Sequence, residues 1–189
     1  TVLPKPDINR IVQNRLFEKD FINKLNINTT QYVPVTKIDD ININKDLLPG
    51  ILKTSKFGYD GKGQLKINSV KEIQDLKIDF KYDYILEKLV KLKKEISIIL
   101  TRFGPGSFEI YEPIENVHED QILKSSKIPS QISKELNDKS KEWAKIIADE
   151  LDFIGTMCVE YFIDKNDNLF INEIAPRVHN SGHLTINAF

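Results

Sequence analysis

The chain has 189 residues, 40% of them hydrophobic, enough to bury a core in one domain or two small ones. Twenty-seven Lys and Arg against 28 Asp and Glu leave a net charge of −1; this excludes a broad basic surface for nucleic acid or an anionic membrane, so any anion must be bound locally. The one cysteine, Cys158, sits in an apolar run, which excludes a disulfide framework and points to a reducing, cytoplasmic setting, and no apolar stretch reaches the roughly 20 residues of a membrane span.

Asp7 is placed to cap a helix in which Ile11, Val12, Leu16, Phe21, Ile22 and Leu25 share a face, with Asn26 to Asn28 ending it. Tyr32 to Pro34 reads as a short extended piece, and the polar stretch Lys37 to Lys45 as an unpatterned connector. Gly50 to Thr54 predicts a strand that carries Lys53 to a glycine-rich loop, closed by a second strand at Gln64 to Ile67. Val70, Ile73 and Leu76 mark a short helix, Tyr84 to Glu87 a strand, and Glu95 to Phe103 a longer strand that turns at Gly104-Pro105-Gly106 into a hairpin. Trp143, Ile146, Ile147 and Leu151 line the buried face of a helix from about Lys139 to Leu151. A last hairpin pairs Val159 to Ile163 with Leu169 to Glu173. Helices and antiparallel strands alternate without a βαβ rhythm or an internal repeat, so the predicted class is α+β, in two lobes.

Three places carry chemistry. Gly58-Tyr59-Asp60-Gly61-Lys62-Gly63 packs three glycines into six residues, a spacing that lets backbone amides approach a phosphate. A strand follows, whereas the dinucleotide and P-loop motifs both need a helix there, so a flap over phosphates fits better than either. A tight Asp-Gly hairpin turn would look the same; Lys53 and Lys62 beside the loop favour the anion site. In the last hairpin, symmetry about the turn sets Ile163 against Phe170, Phe162 against Ile171 and Glu160 against Glu173. Opposed carboxylates repel unless a cation lies between them, and Mg²⁺, which takes one or two protein carboxylates plus phosphate oxygens and water, is the simplest answer. Surface pairing of either glutamate with Lys or Arg is the competing explanation, and a one-residue slip would undo the arrangement. Beyond Pro176, Arg177, His179 and Asn180 are donors suited to a carboxylate, a phosphate or a carboxylated intermediate.

Taken together, Leu52-Lys53-Thr54, Phe57 to Gln64, Glu115-Asn116-Val117-His118 and above all Asn172 to His183 resemble the ATP-grasp superfamily, and within it the 5-(carboxyamino)imidazole ribonucleotide synthase family. The resemblance runs along nearly the whole chain, including Asn14-Arg15-Leu16 and Lys19. It implies an ATP-grasp fold and ATP-dependent carboxylation of 5-aminoimidazole ribonucleotide with bicarbonate through carboxyphosphate, in purine biosynthesis. It implies ATP and Mg²⁺ as cofactors, no nucleic-acid or membrane partner, and a homodimer for the full-length protein. By resemblance, Arg15, Lys53 and the loop Phe57, Gly58, Tyr59, Asp60, Gly61, Lys62 and Gly63 would hold the ATP phosphates. Glu87, Lys88, Leu89 and Val90 would read adenine, Glu95 the ribose, and His118 and Asn172 would complete the nucleotide site, with Glu160 and Glu173 on the metal. Tyr59, Asp60, Arg177, His179 and Asn180 would face the imidazole ribonucleotide and carboxyphosphate, with Asp60, Arg177 and His179 in the chemistry.

The sequence departs from the family pattern at Phe57, Ser55 and Leu184, and none of these departures removes a proposed ligand. The expected organisation is the end of an N-terminal domain with a connecting helix over residues 1–30, a small lobe over 31–92 and an incomplete large lobe over 93–189, so the chain reads as a fragment. The alternatives are another ATP-grasp ligase, using formate or biotin as acceptor, and an ATP-binding fragment without catalysis. Arg177 to His183 argues against the first.

Overall fold

The computed structural model describes residues 3–56, 63–74, 76–119 and 122–186. Phe57, Gly58, Tyr59, Asp60, Gly61 and Lys62, assigned above to the flap, lie outside the described residues. Among those described, no helix is long and apolar enough to cross a membrane.

Two helices open the chain, α1 (Pro6–Val12) and α2 (Arg15–Lys24), where the apolar spacing predicted one. The break is at Asn14, whose extended backbone (φ −123°, ψ 113°) ends the first helix while its side chain accepts from the Leu16 and Phe17 amides. Asp7 lies in the first turn of α1 rather than at its cap. The helical run ends where expected, at Asn26, in the left-handed region with φ 57°.

A four-stranded antiparallel sheet follows, with β1 (Tyr32–Val35), β2 (Gly50–Thr54), β3 (Gln64–Ile67) and β4 (Tyr84–Lys88) in the order β1-β4-β2-β3. The stretch read as a connector contains α3 (Ile38–Ile43), which buries only Ile41 completely. Ile38, Ile41 and Ile43 mix the spacings of a helix and a strand in a polar run, too weak a pattern to announce a helix. With α4 (Val70–Ile73), α3 covers one face of the sheet, so Ile41, Leu47, Leu52, Ile67, Ile73 and Leu86 form one core. Alternation along the strands turns Lys53 and Glu87 to the other face.

The second sheet has the order β10 (Leu169–Ala175), β9 (Gly155–Asp164), β5 (Leu92–Gly104), β7 (Ile114–Glu119), β8 (Ile122–Lys127), with β6 (Ser107–Ile110) paired to β5 around the predicted Gly104 to Gly106 turn. Strands β7 (Ile114–Glu119) and β8 (Ile122–Lys127) are absent from the sequence reading, because IENVHE and ILKSSK lack enough apolar alternation to mark them. Helix α5 (Lys134–Glu150) starts five residues before Lys139 because the Ser133 hydroxyl accepts from the Leu136 amide. It packs Trp143, Ala144 and Ile147 against Ile96, Ile98 and Leu100 of β5 and against Met157, Val159, Tyr161 and Ile163 of β9 (Gly155–Asp164). Ile8 and Ile22 join this core, so α1 and α2 pack on the large sheet.

In β10 (Leu169–Ala175) the register differs from the symmetric one. Leu169 faces Ile163 and Phe170 faces Phe162, so the pairings of Ile163 with Phe170 and of Phe162 with Ile171 are corrected. A bulge between Ile171 and Glu173 then shifts the strand by one residue, and Glu173 does face Glu160. The expected carboxylate pairing therefore arises from an irregularity that hairpin symmetry does not contain.

Candidate functional site

The faces of the two sheets not covered by helices enclose a cavity of about 500 Å³. From the small sheet it receives Lys53 and the run Glu87, Lys88, Leu89 and Val90; from the large sheet it receives Glu95, His118, Glu160, Asn172 and Glu173. Arg15 at the start of α2, and Arg177, His179 and Asn180 beyond β10, complete the wall. Among the described residues named as candidates, only Gly63 is not part of this lining. It closes the hairpin at φ +76°, where an added Cβ would lie 3.0 Å from Thr54 Oγ1, so both conformation and space require glycine there.

On the small-sheet side the centre is a buried ion cluster. Lys53 Nζ lies 3.0 Å and Lys19 Nζ 3.5 Å from Glu87 Oε2, and Thr30 Oγ1 donates to the same oxygen at 3.0 Å. Lys19 also donates to Thr29 Oγ1 and Thr30 Oγ1, both at 2.8 Å. Burial opposes ionisation of Glu87, but the two ammonium groups outweigh it and bring its pKa down to about 2. Its other oxygen, Oε1, is buried without a hydrogen-bond partner. Two cations against one carboxylate leave the cluster with an excess positive charge on the cavity wall, a setting for an anion. Glu87 thus serves as the counter-ion of Lys19 and Lys53. The neighbouring backbone is partly committed, since the Lys88 amide donates to Gln31 O and the Leu89 amide to Pro49 O, each at 2.9 Å.

On the large-sheet side the carboxylates gather. The bulge places Asn172 and Glu173 together on the cavity wall, where consecutive residues of a regular strand would point to opposite faces, while Ile171 and Ile174 on either side both enter the core. Asn172 Nδ2 approaches Glu160 Oε2 at 3.4 Å, and His179 Nδ1 lies 3.1 Å from Glu160 Oε1. Burial and then the Glu173 charge raise the Glu160 pKa to about 7. Burial lowers that of His179, so the imidazole beside Glu160 is held towards its neutral form. His118 Nδ1 sits 2.5 Å from Glu95 Oε2, and this contact raises the His118 pKa against the cost of burial. Arg15 Nη1 reaches Glu173 Oε2 at 3.8 Å.

Among the described residues no group of three His, Cys, Asp or Glu forms a metal cluster. Two facing carboxylates, one with a buried oxygen lacking a hydrogen bond, nevertheless suit a hard divalent cation that completes its shell with phosphate oxygens and water.

Sequence reasoning missed the buried polar network behind this wall. Glu18 is 1% exposed, accepts from the Ile174 amide at 2.6 Å, and has its pKa raised to about 8 by burial and then by Glu173. Lys19, cited above only for resemblance, is fully buried. The available signal was their spacing: Arg15, Glu18 and Lys19 fall at i, i+3 and i+4, a polar stripe on the face of α2 that carries Ile22.

The ATP-grasp domain model matches residues 20–189. A protein named N5-carboxyaminoimidazole ribonucleotide synthase, from Staphylococcus aureus (strain COL), is 38% identical over 182 residues, covering 95% of this chain and 48% of that protein. The crystal structure of N5-carboxyaminoimidazole synthetase from S. aureus complexed with ADP superposes with a TM-score of 0.86 at 38% identity, over 95% of this chain and 48% of that one. The Aspergillus clavatus N5-carboxyaminoimidazole synthase, in complex with ADP and 5-aminoimidazole ribonucleotide, superposes with a TM-score of 0.83 at 27% identity, over 95% of this chain and 48% of that one. The chain thus spans about half the length of the relatives it matches. A family model covering most of the chain, two antiparallel sheets closing on one polar cavity, and these superpositions lead to one conclusion: the chain belongs to the ATP-grasp family.

Proposed function

We propose that this chain carries the ATP site of an enzyme that carboxylates 5-aminoimidazole ribonucleotide with bicarbonate, by way of carboxyphosphate. The observation that carries the reading is the meeting, in one cavity, of the Lys53 cation cluster, the Glu160 and Glu173 pair, and the donors Arg177, His179 and Asn180. The similarity to synthases of this name supports the same acceptor. The proposed organisation is an end piece of a preceding domain over residues 1–30, a small lobe over 31–92 and part of a large lobe over 93–189, with the full-length protein a homodimer.

In this reading Lys53 and Arg15 neutralise the ATP phosphates, assisted by the loop Phe57 to Gly63. Adenine lies against the run from Glu87 to Val90. Since the Lys88 and Leu89 amides are already bonded, the Val90 amide is the hinge donor left for a ring nitrogen, with a hinge carbonyl accepting from the amino group. Glu95, held by His118, accepts from the ribose hydroxyls. Glu160, Glu173 and Asn172 would hold Mg²⁺, which when bound supplies charge neutralisation to the transferring phosphoryl group. Arg177, His179 and Asn180, with Tyr59 and Asp60 of the flap, orient the carboxylated intermediate and the acceptor amine. Positioning and preset charge supply most of the rate in such a transfer.

The test is phosphate release by the full-length protein in the presence of Mg-ATP and bicarbonate, with 5-aminoimidazole ribonucleotide compared against formate and biotin as acceptors. Stimulation by the imidazole alone is expected. Equal rates with all three would sink the proposed acceptor. For the chain by itself, which spans half of its relatives, binding of Mg-ATP without turnover is the expected result.

A further inference from the structure

Strand β10 is the outer strand of the large sheet, so every second backbone amide along it points away from β9 and needs a partner elsewhere. At Ile171 that partner is the segment after α2: the Ile171 amide donates to Asn28 O at 2.8 Å, and Thr29 Oγ1 donates to Ile171 O at 2.9 Å. In a regular strand the next outward amide would be at residue 173. Because of the bulge it falls instead at Ile174, where Glu18 Oε1 accepts it at 2.6 Å. The two outer anchors are thus three residues apart, a spacing that only the bulged strand satisfies.

We infer that Glu18 is a positioning residue for the carboxylate pair: by accepting the Ile174 amide it holds β10 in its bulged register, which keeps Asn172 and Glu173 on the cavity wall facing Glu160. Without the bulge Asn172 would oppose Glu160, and Glu173 would turn towards the core face. The anchor is rigid because Glu18 lies in α2, a helix tied at its start to the small lobe through the Arg15 amide and Ser55 O (2.9 Å) and fastened on the same face through Lys19 to Glu87. Position 18 therefore requires a side-chain oxygen at the reach of Glu or Gln, and whether that group can ionise is secondary.

The effect on nucleotide binding rests on the reading of Glu160 and Glu173 as a Mg²⁺ site, and the experiment separates the two claims. In this chain, checked for folding by circular dichroism, Glu18→Gln keeps the reach with a group that cannot ionise, whereas Glu18→Asp keeps a carboxyl group and falls one methylene short. Amide exchange at Ile174, read by NMR, is expected to stay slow in Glu18→Gln and to accelerate at least tenfold in Glu18→Asp. The ratio of AMP-PNP affinities with Mg²⁺ and with EDTA is expected to be retained in Glu18→Gln and to fall at least tenfold in Glu18→Asp. Slow Ile174 exchange in Glu18→Asp, or equal acceleration in both variants, overturns the anchor. If Glu160→Gln and Glu173→Gln leave the Mg²⁺ ratio unchanged, the metal reading is what fails, and the exchange data still decide the role of Glu18.

Discussion

Replacing Glu87 by Gln removes the one carboxylate that two buried lysines share. At separations of 3.0 and 3.5 Å, and an effective dielectric of about 20, each ammonium gains roughly 5 kcal/mol of attraction, most of which offsets the cost of burying the charges. Gln keeps the shape and leaves Lys19, 0% exposed, without a counter-ion. The penalty has a ceiling, because the lysine can instead lose its proton: moving from the ordinary 10.5 to pH 7 costs about 5 kcal/mol at about 1.4 kcal/mol per pH unit. A destabilisation of about 3–5 kcal/mol at pH 7 follows, a large share of the 5–15 kcal/mol typical of a whole domain. The pH dependence carries the diagnosis. Burial already holds the Lys19 pKa below its ordinary value in the wild type, and loss of Glu87 lowers it further. Such a lysine binds fewer protons folded than unfolded, so the variant regains more stability than wild type as pH rises towards 10.5, and its deficit should shrink between pH 7 and 9, by at most about 3 kcal/mol. Urea denaturation followed by circular dichroism at the two pH values measures both quantities. An unchanged unfolding free energy at pH 7, or a deficit that does not move with pH, refutes the buried ion cluster as argued.

Lys53→Ala should weaken Mg-ATP binding about tenfold to hundredfold, the worth of one charge-assisted contact to phosphate, while Arg177→Ala changes it less than threefold; isothermal calorimetry on the chain separates the two. Glu160, held at about 7 against the usual 4.5, contributes stability that is complete below 4.5 and is lost as pH rises to 7, roughly 3 kcal/mol in all, and Glu160→Gln should flatten that slope in denaturation curves at pH 5 and 7.5. Because a bound cation favours the carboxylate, Mg-nucleotide binding at pH 6 should also release close to one proton from this group, measurable by titration calorimetry in two buffers of different ionisation heat. Gly63→Ala, forced to φ +76° with its methyl 3.0 Å from Thr54 Oγ1, should lose about 1–2 kcal/mol, visible as a lowered urea midpoint.

The legible parts of the fold were those where apolar residues repeat with a clear period. Strand β2, the hairpin of β5 and β6, and the buried face of α5 follow from Ile51 and Leu52, from Ile96 to Leu100 with its glycine turn, and from Trp143 and Ile147. What escaped depends on polar atoms meeting at a distance. Asn14 separates two helices through an extended backbone and a side chain that caps the second, although its neighbours keep the apolar spacing. Strand β7 survives with His118 and Asn116 along it because β5 and β8 flank it, a stability its own six residues do not express. The bulge was visible in principle, since Leu169, Ile171 and Ile174 break strict alternation by one residue at Asn172-Glu173. Symmetry about the turn ignores that break, so it misplaces the pairs nearest the turn by one residue yet sets Glu160 against Glu173, where the bulge restores the register. Among the described site residues, those named by resemblance, Gly63 excepted, line the cavity, whereas Glu18 lies behind it and bears on the site through the Ile174 amide that it holds.

Helix α2 joins these threads. Through Arg15, Glu18 and Lys19, one polar face of ten residues reaches the Glu173 side chain, the Ile174 amide and Glu87, and so touches both sheets at once. The contacts of Glu18 and Lys19 are buried, and a polar group left unpaired there costs about 1–3 kcal/mol, so the two sheets cannot slide apart at this edge without breaking both. A nucleotide bound between a cation on the small sheet and a carboxylate pair on the large one needs the spacing between them held to a fraction of an ångström. An apolar contact there would tolerate sliding; the Glu18 hydrogen bond and the buried Lys19–Glu87 ion pair do not. The stripe has the physical character of a ruler between the cation cluster of the small sheet and the carboxylate pair of the large one, which accounts for the presence of three ionisable residues on a helix face otherwise fit for the core.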